Sequence, residues 1–84
     1  MHVTETWSIA YERIAAFFLA QEDVRADGDG RFSIGGCEIR LLSLPPRQVG
    51  RFRFPQTQVT FDGPDADGEA IRRRFVLQFV SAGG

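Results

Sequence analysis

The chain is short of the side chains that most often carry chemistry: its 84 residues include one cysteine, one histidine and no lysine. A single cysteine, Cys37, excludes an internal disulfide. The only histidine, His2, stands beside the first residue, so no placed imidazole is available as a base for Cys37 or for a serine. Too few His and Cys residues are present for a His/Cys metal cluster. We therefore expect no catalytic activity, no metal and no cofactor.

Long apolar runs are also missing. The longest, from Ile14 to Ala20, is far too short to span a bilayer. The first residues, MHVTETW, lack the basic region followed by an apolar run that marks a secretory signal. A single cysteine suits a reducing compartment, so the sequence predicts a cytoplasmic protein with no membrane association.

The composition that is present is typical of a globular domain, with 43% hydrophobic and 25% charged residues. The length predicts a single domain, residues 1–84, with one core. Ten arginines without any lysine or asparagine indicate a GC-rich coding sequence, since Lys and Asn codons are AT-rich. The net charge of −1 provides no global field that would attract nucleic acid, so a nucleic-acid partner is not expected.

The clearest local pattern is RFSIGGCEIR, residues 31–40, which is typical of a β-hairpin. Its two glycines fill the two-residue loop of a type I′ or II′ turn. The opposed pairs that this loop predicts are Arg31 with Arg40, Phe32 with Ile39, Ser33 with Glu38, and Ile34 with Cys37. The apolar pairs fall on one face, so the hairpin places Cys37 in the core as a structural thiol.

Two segments show helical periodicity. The first predicted helix covers residues 8–21, and its apolar stripe recurs at three- and four-residue steps through Trp7, Tyr11, Ile14 and Phe18. A competing interpretation makes residues 3–7 a strand. The second predicted helix covers residues 65–81. Acidic residues lie in its first turn, where they complement the helix dipole, and an apolar face follows. Residues 22–30, between the first helix and the hairpin, are rich in turn-forming Asp and Gly.

Between the hairpin and the last helix, two runs alternate with different parity. The ladder of the hairpin is expected to stop at Pro45 and Pro46. Phe52 and Phe54 occupy even positions, whereas the apolar residues of the run 57–61 occupy odd ones. A bulge or bend at residues 55–56 is therefore predicted, or else residues 51–54 form a loop.

These elements predict an α+β fold. The expected architecture is two-layer, helix–three-stranded antiparallel meander–helix, with both helices on one sheet face. The other sheet face would then be open to solvent.

The open face supplies the candidate binding residues. Hairpin register places Arg31 and Arg40 there, Arg51 and Arg53 join them if the neighbouring phenylalanines point inward, and Gln58 extends the surface. No aromatic side chain is predicted on this face, which counts against base stacking. We therefore expect a small non-catalytic interaction module that binds a protein partner through an Arg/Gln-lined outer sheet face or through an exposed cluster of phenylalanines, with a homodimer as one option.

Two acidic loops, residues 25–30 and 63–68, match the centre of a calcium-binding EF-hand loop. Both lack carboxylates at the first and last ligand positions, so solvated turns are predicted instead. The helix–strands–helix order also matches double-stranded RNA-binding domains. Those domains place basic residues at the start of the last helix, where this chain has the acidic stretch DGPDADGE, and the assignment is rejected.

The chain ends in Gly83 and Gly84. Such a tail is similar to the ends of ubiquitin-like sulfur carriers, in which a diglycine enters the narrow site of an adenylating enzyme. The resemblance covers two residues and implies, as an alternative function, a diglycine-tailed carrier protein. Against it, the carrier fold begins with a hairpin, whereas this chain is predicted to begin with a helix.

Overall fold

A computed structural model describes residues 1–83 of the chain, with side chains over residues 1–80. The elements follow one another as β1 (His2–Trp7), α1 (Tyr11–Leu19), β2 (Val24–Ala26), β3 (Arg31–Ile34), β4 (Cys37–Val49), β5 (Phe52–Asp62) and α2 (Asp65–Gly83). The strands form one antiparallel sheet in the order β1-β5-β4-β3-β2. The α+β class is confirmed. The three-stranded meander is wrong, because the sheet of the described residues has five strands.

β1 accounts for one of the two added strands. Its residues alternate between exposed and half-buried, and it pairs with β5 from His2↔Asp62 to Trp7↔Thr57. The competing interpretation of residues 3–7 as a strand is therefore correct. Trp7 belongs to the sheet rather than to the helical stripe, and α1 accordingly begins at Tyr11 rather than at residue 8.

β2 accounts for the other added strand, inside the segment that is predicted as a loop. Its three residues pair with β3, from Val24↔Ile34 to Ala26↔Phe32. Only Val24 packs against the core, so the segment shows no alternation that a sequence pattern can reveal.

The β3–β4 hairpin confirms the predicted register in all four pairs, from Arg31↔Arg40 to Ile34↔Cys37. Of the two loop glycines, only Gly35 has a positive φ, 59°, which is the φ pattern of a type II′ turn. Cys37 is buried in the core, with 1% of its surface exposed.

β4 and β5 form a second, longer hairpin that turns at Gly50, where φ is also 59°. β4 does not stop at its prolines. Its register shifts by one residue between Leu44↔Gln56 and Arg47↔Phe54, so a β-bulge carries the ladder past residues 45 and 46. The bulge therefore lies in β4, opposite a regular β5, and the predicted bend at residues 55–56 is wrong.

One core joins both helices to the sheet. Phe18 of α1 and Phe75 of α2 stack with their ring centroids 5.6 Å apart. Both rings also contact Phe61 of β5, with centroid distances of 6.3 and 5.9 Å. All three side chains are fully buried, and burial of each contributes roughly 1.5–3 kcal/mol.

α2 begins at Asp65, as its acidic first turn predicts, and continues to Gly83, beyond the predicted end. Ile71 and Phe75 face the core, whereas Leu77 is 58% exposed. Neither of the described helices combines the length and apolar character that crossing a bilayer requires.

Candidate binding surface

The β4–β5 hairpin extends beyond its neighbours in the sheet. β3 pairs with β4 only as far as Arg40, and β1 pairs with β5 only as far as Thr57. Residues 44–55, here called the arm, therefore form a two-stranded projection. The molecule is accordingly elongated, with principal extents of 41, 28 and 22 Å.

One face of the arm is apolar and exposed. Val49 lies opposite Phe52, and Arg47 lies opposite Phe54, so these four side chains share a face. Val49, Phe52 and Phe54 are 49%, 62% and 43% exposed. The two phenylalanine rings lie side by side, with centroids 6.4 Å apart and planes inclined by 30°.

This apolar face continues the outer face of the sheet, which is the face opposite the buried Val59 and Phe61. β5 is regular, so Phe52 and Phe54 alternate in step with Gln58 and point to the same side. The prediction that no aromatic residue lies on the outer face is therefore wrong. That prediction assumes that both phenylalanines point inward, which is possible only if β5 contains a bulge. The bulge lies in β4 instead.

Three of the five predicted binding residues come together on the outer face. Arg31, Arg40 and Gln58 line an open depression of about 370 Å³. Its remaining lining residues are His2, Thr4, Asp29, Gly30, Leu41, Leu42 and Thr60. The other two predicted residues lie elsewhere: Arg51 is at the tip of the arm, and Arg53, paired with Gln48, is on the opposite face of the arm from Phe54.

The cations of the depression are partly neutralised by carboxylates of the same protein. Nε of Arg40 lies 3.4 Å from Oε1 of Glu38, and its Nη2 lies 3.8 Å from Oδ2 of Asp62. Nδ1 of His2 approaches the same Asp62 oxygen to 3.5 Å. An anionic ligand at Arg40 would therefore compete with two carboxylates.

The arm carries cations without such compensation. Arg47, Arg51 and Arg53 form no ion pair within the described part of the chain. From residue 39 to residue 61 the sequence contains four arginines and no Asp or Glu, although the whole chain has a net charge of −1. Positive charge is thus concentrated on the projecting hairpin.

Cys37 offers no reactive centre in this arrangement. Burial raises the pKa of its thiol, and its Sγ lies 3.7 Å from the carbonyl oxygen of Glu38. A raised pKa keeps the thiol protonated at neutral pH, whereas nucleophilic attack needs the thiolate.

Within the described residues, the two acidic loops do not bring three carboxylates together. In residues 1–83, no three His, Cys, Asp or Glu side chains are grouped closely enough to hold a metal ion. Oδ1 of Asp65 instead pairs with the amino group of Met1 at 2.7 Å. This contact raises the pKa of the amino group and lowers that of the Asp65 carboxyl.

The diglycine prediction falls at the boundary of the described chain. Gly83 is the last residue of α2, and Gly84 lies outside the described residues. The alternative carrier function therefore stays a prediction.

Comparison with known proteins gives no family. No protein-family model matches the chain, and no curated protein is significantly similar to it in sequence. The surface of the protein is therefore the remaining indication of its function.

Proposed function

We propose that this protein is a small, non-catalytic interaction module that binds an acidic polypeptide segment through the arm and the adjoining outer face. In this arrangement both helices cover one face of the sheet and leave the outer face open. The observation that carries the proposal is the exposed pair Phe52 and Phe54, with Arg47 on the same face and Arg51 at the tip of the arm, neither of which has a carboxylate partner among the described residues. The proposal includes a cytoplasmic location, which suits the buried free thiol of Cys37.

Aromatic and arginine side chains are the residues most enriched in protein interfaces. Full burial of Phe52 and Phe54 by a partner would contribute roughly 1.5–3 kcal/mol for each ring. The arginines would add electrostatic steering and discriminate against a basic partner. Apolar and acidic side chains in the same segment therefore complement this surface.

The arm is built to bind through its side chains rather than by accepting a further strand. Its β4 edge carries Pro45, Pro46 and the bulge, and its β5 edge carries Pro55. Prolines and bulges on an open edge interrupt the backbone hydrogen bonds that strand addition needs. The arm consequently offers a partner its side-chain faces, of which the face with Phe52 and Phe54 is the apolar one.

A polypeptide fits better than single-stranded nucleic acid. The outer-face cation nearest the sheet centre, Arg40, already faces Glu38 and Asp62. A phosphate backbone that followed the outer face from the arm would meet these carboxylates. A polypeptide can place its acidic residues at the arm and neutral ones beside the depression.

The experiment is a titration of a fluorescein-labelled peptide of alternating Glu and Leu, followed by fluorescence anisotropy. Replacing both Phe52 and Phe54 by Ser should weaken binding at least about tenfold, since tenfold corresponds to only about 1.4 kcal/mol. Leu19→Ser is the matched control, because Leu19 is 55% exposed, within the range of the two phenylalanines, but lies on α1. Unchanged affinity of the double variant would overturn the proposal.

A second set of titrations tests the role of charge and the class of partner. Arg47→Glu with Arg51→Glu should weaken peptide binding and reduce its salt dependence, whereas Arg25→Glu on β2 should not. Arg40 is a poorer target, because changing it also frees Glu38 and Asp62. If oligo(dT) of equal charge bound more tightly than the peptide, the partner would be single-stranded nucleic acid and the polypeptide proposal would be wrong.

A further inference from the structure

β1 presents an open edge with a defined set of backbone groups. Met1 and Gly63 exchange hydrogen bonds, with the Gly63 N–H donating to the Met1 carbonyl oxygen at 3.0 Å. Hydrogen-bonded pairs alternate with non-hydrogen-bonded pairs along an antiparallel ladder. The backbone groups of Val3, Glu5 and Trp7 therefore bond to β5. The N–H and C=O groups of His2, Thr4 and Thr6 therefore point away from β5, toward the open edge.

This edge differs from the others in the sheet. β2, at the opposite side, has only three residues. The edges of the arm are interrupted by proline. β1 offers six extended residues without proline, and its pairing with β5 shows no bulge. It is therefore the long edge on which a further strand meets no obstacle.

A mixed groove runs along the same edge, between β1 and α2. It has a volume of about 500 Å³ and is lined by Met1, Val3, Glu5, Glu69, Arg72, Arg73, Val76 and Leu77. Glu5 is held by Arg72 on the helix side of β1, so its charge does not block the outward backbone groups. A strand added to β1 would also cover part of the exposed Leu77 side chain.

The charges of the groove suit a second copy of this chain. Glu69 and Arg73 are one helical turn apart, and both line the groove. When two identical helices meet antiparallel across a two-fold axis between these positions, each Glu69 faces Arg73 of the partner subunit. A surface that carries both signs in this order is self-complementary, as a two-fold interface requires.

We propose that β1 pairs antiparallel with β1 of a second copy, centred on Thr4, to form a continuous ten-stranded sheet. In this register Thr4 faces Thr4 of the partner subunit, and His2 faces Thr6 of the partner subunit. All outward N–H and C=O groups of the three residues are then used in hydrogen-bonded pairs. The α2 helices lie beside the new strand pair, with Glu69 and Arg73 in contact across the axis.

The proposed dimer interface does not include the arm. Dimerisation and the proposed partner binding can therefore be confirmed or overturned independently. A dimer of this kind would carry two arms, one on each side of the two-fold axis. Binding to a divalent partner would then gain from avidity when the spacing fits.

The experiment measures the mass of the full chain, with no residues added before Met1, by size-exclusion light scattering and sedimentation over a concentration series. The wild type is expected to be a dimer. Thr4→Pro removes the central outward N–H and should give a monomer, since proline is tolerated where the N–H of an edge strand faces solvent. Thr4→Val is the matched control: it also loses the hydroxyl contact with Thr60 but keeps the N–H, and should remain a dimer.

Charge reversal gives a second test that does not alter the strand. Glu69→Arg or Arg73→Glu alone should raise the dissociation constant about tenfold, because two surface ion pairs per dimer become like-charge contacts. The double variant Glu69→Arg with Arg73→Glu should restore the dimer. A monomeric wild type at all concentrations, a dimeric Thr4→Pro variant, or failure of the double variant to rescue would each overturn the proposal.

Discussion

Glu5 of β1 and Arg72 of α2 are joined by two hydrogen bonds across the open edge of the sheet. Nε of Arg72 donates to Oε1 of Glu5 at 3.0 Å, and Nη2 donates to Oε2 at 2.7 Å. The pair connects the first strand to the last helix. The sequence does not indicate this pair, because Arg72 stands in a run of three arginines that resembles ordinary solvated helix surface.

Removing this pair should lower stability in a pH-dependent way. Arg72 holds the pKa of the Glu5 carboxyl below its ordinary value of 4.5. A lowered folded-state pKa stabilises the fold above pH 4.5, and this stabilisation is lost as the pH falls through the lower value. Glu5→Gln should cost about 1 kcal/mol at neutral pH, a value discounted because Arg72 is 38% exposed.

Urea unfolding over a pH series measures the effect. The difference between the wild type and Glu5→Gln should shrink toward zero in acid. Glu12→Gln, which changes an exposed residue of α1, is the control and should show no such trend. A difference that persisted unchanged in acid would contradict the assignment of the effect to the ion pair.

Comparison of Gly28 with Gly30 separates the cost of a positive φ from the cost of a steric clash. Both have positive φ, 91° and 76°. A Cβ at Gly30 would lie 2.5 Å from the Tyr11 hydroxyl oxygen and 2.9 Å from the Leu41 carbonyl oxygen, whereas a Cβ at Gly28 would meet nothing within 4 Å. Gly28→Ala should therefore cost about 1–2 kcal/mol from φ alone, and Gly30→Ala about 1–3 kcal/mol more from overpacking.

Chemical unfolding of both alanine variants measures this difference directly. Gly30 is also tied to the neighbouring strand, since the Leu41 N–H donates to its carbonyl oxygen at 2.8 Å. Equal losses at the two glycines would show that Tyr11 and the strand move aside without cost.

The elements that the sequence predicts correctly are those whose determinants are local. The register of the β3–β4 hairpin follows from two adjacent glycines, and the start of α2 follows from its acidic first turn. β1 has no such local signal. Its partner residues in β5 are fifty or more positions away, and Trp7 at its end fits a helical stripe equally well.

The binding surface was only partly predictable for a related reason. Arg31, Arg40 and Gln58 follow from local alternation, and they do share the depression. The arm required a different premise: that Phe52 and Phe54 are exposed. If β5 is taken as one regular strand, its parity alone places both rings on the outer face. The expectation that aromatic residues point inward instead requires an irregularity in β5. The structure has its bulge in β4, at Pro45 and Pro46.

Cys37 should react slowly with thiol reagents in the folded protein. It is 1% exposed, and burial raises the pKa of its thiol above the ordinary value of 9.0. Both effects lower the supply of accessible thiolate. Reaction with Ellman's reagent should be slow in buffer and rapid in urea, whereas a Cys37→Ala, Ser43→Cys variant, with its thiol at an exposed position, should react rapidly in both. Fast native labelling of the wild type would show that the β4 amino-terminal end opens readily.

The two phenylalanines of the arm should be dispensable for folding. Phe52 and Phe54 contact each other but belong to no part of the buried core. Replacing both by Ser should change the free energy of unfolding by no more than about 0.5 kcal/mol, as is usual for exposed positions. Phe75→Ala, at a fully buried ring, should cost about 3–5 kcal/mol. A large loss for the arm variant would mean that the rings hold the arm together, and the exposure of Phe52 and Phe54 would then no longer point to a partner.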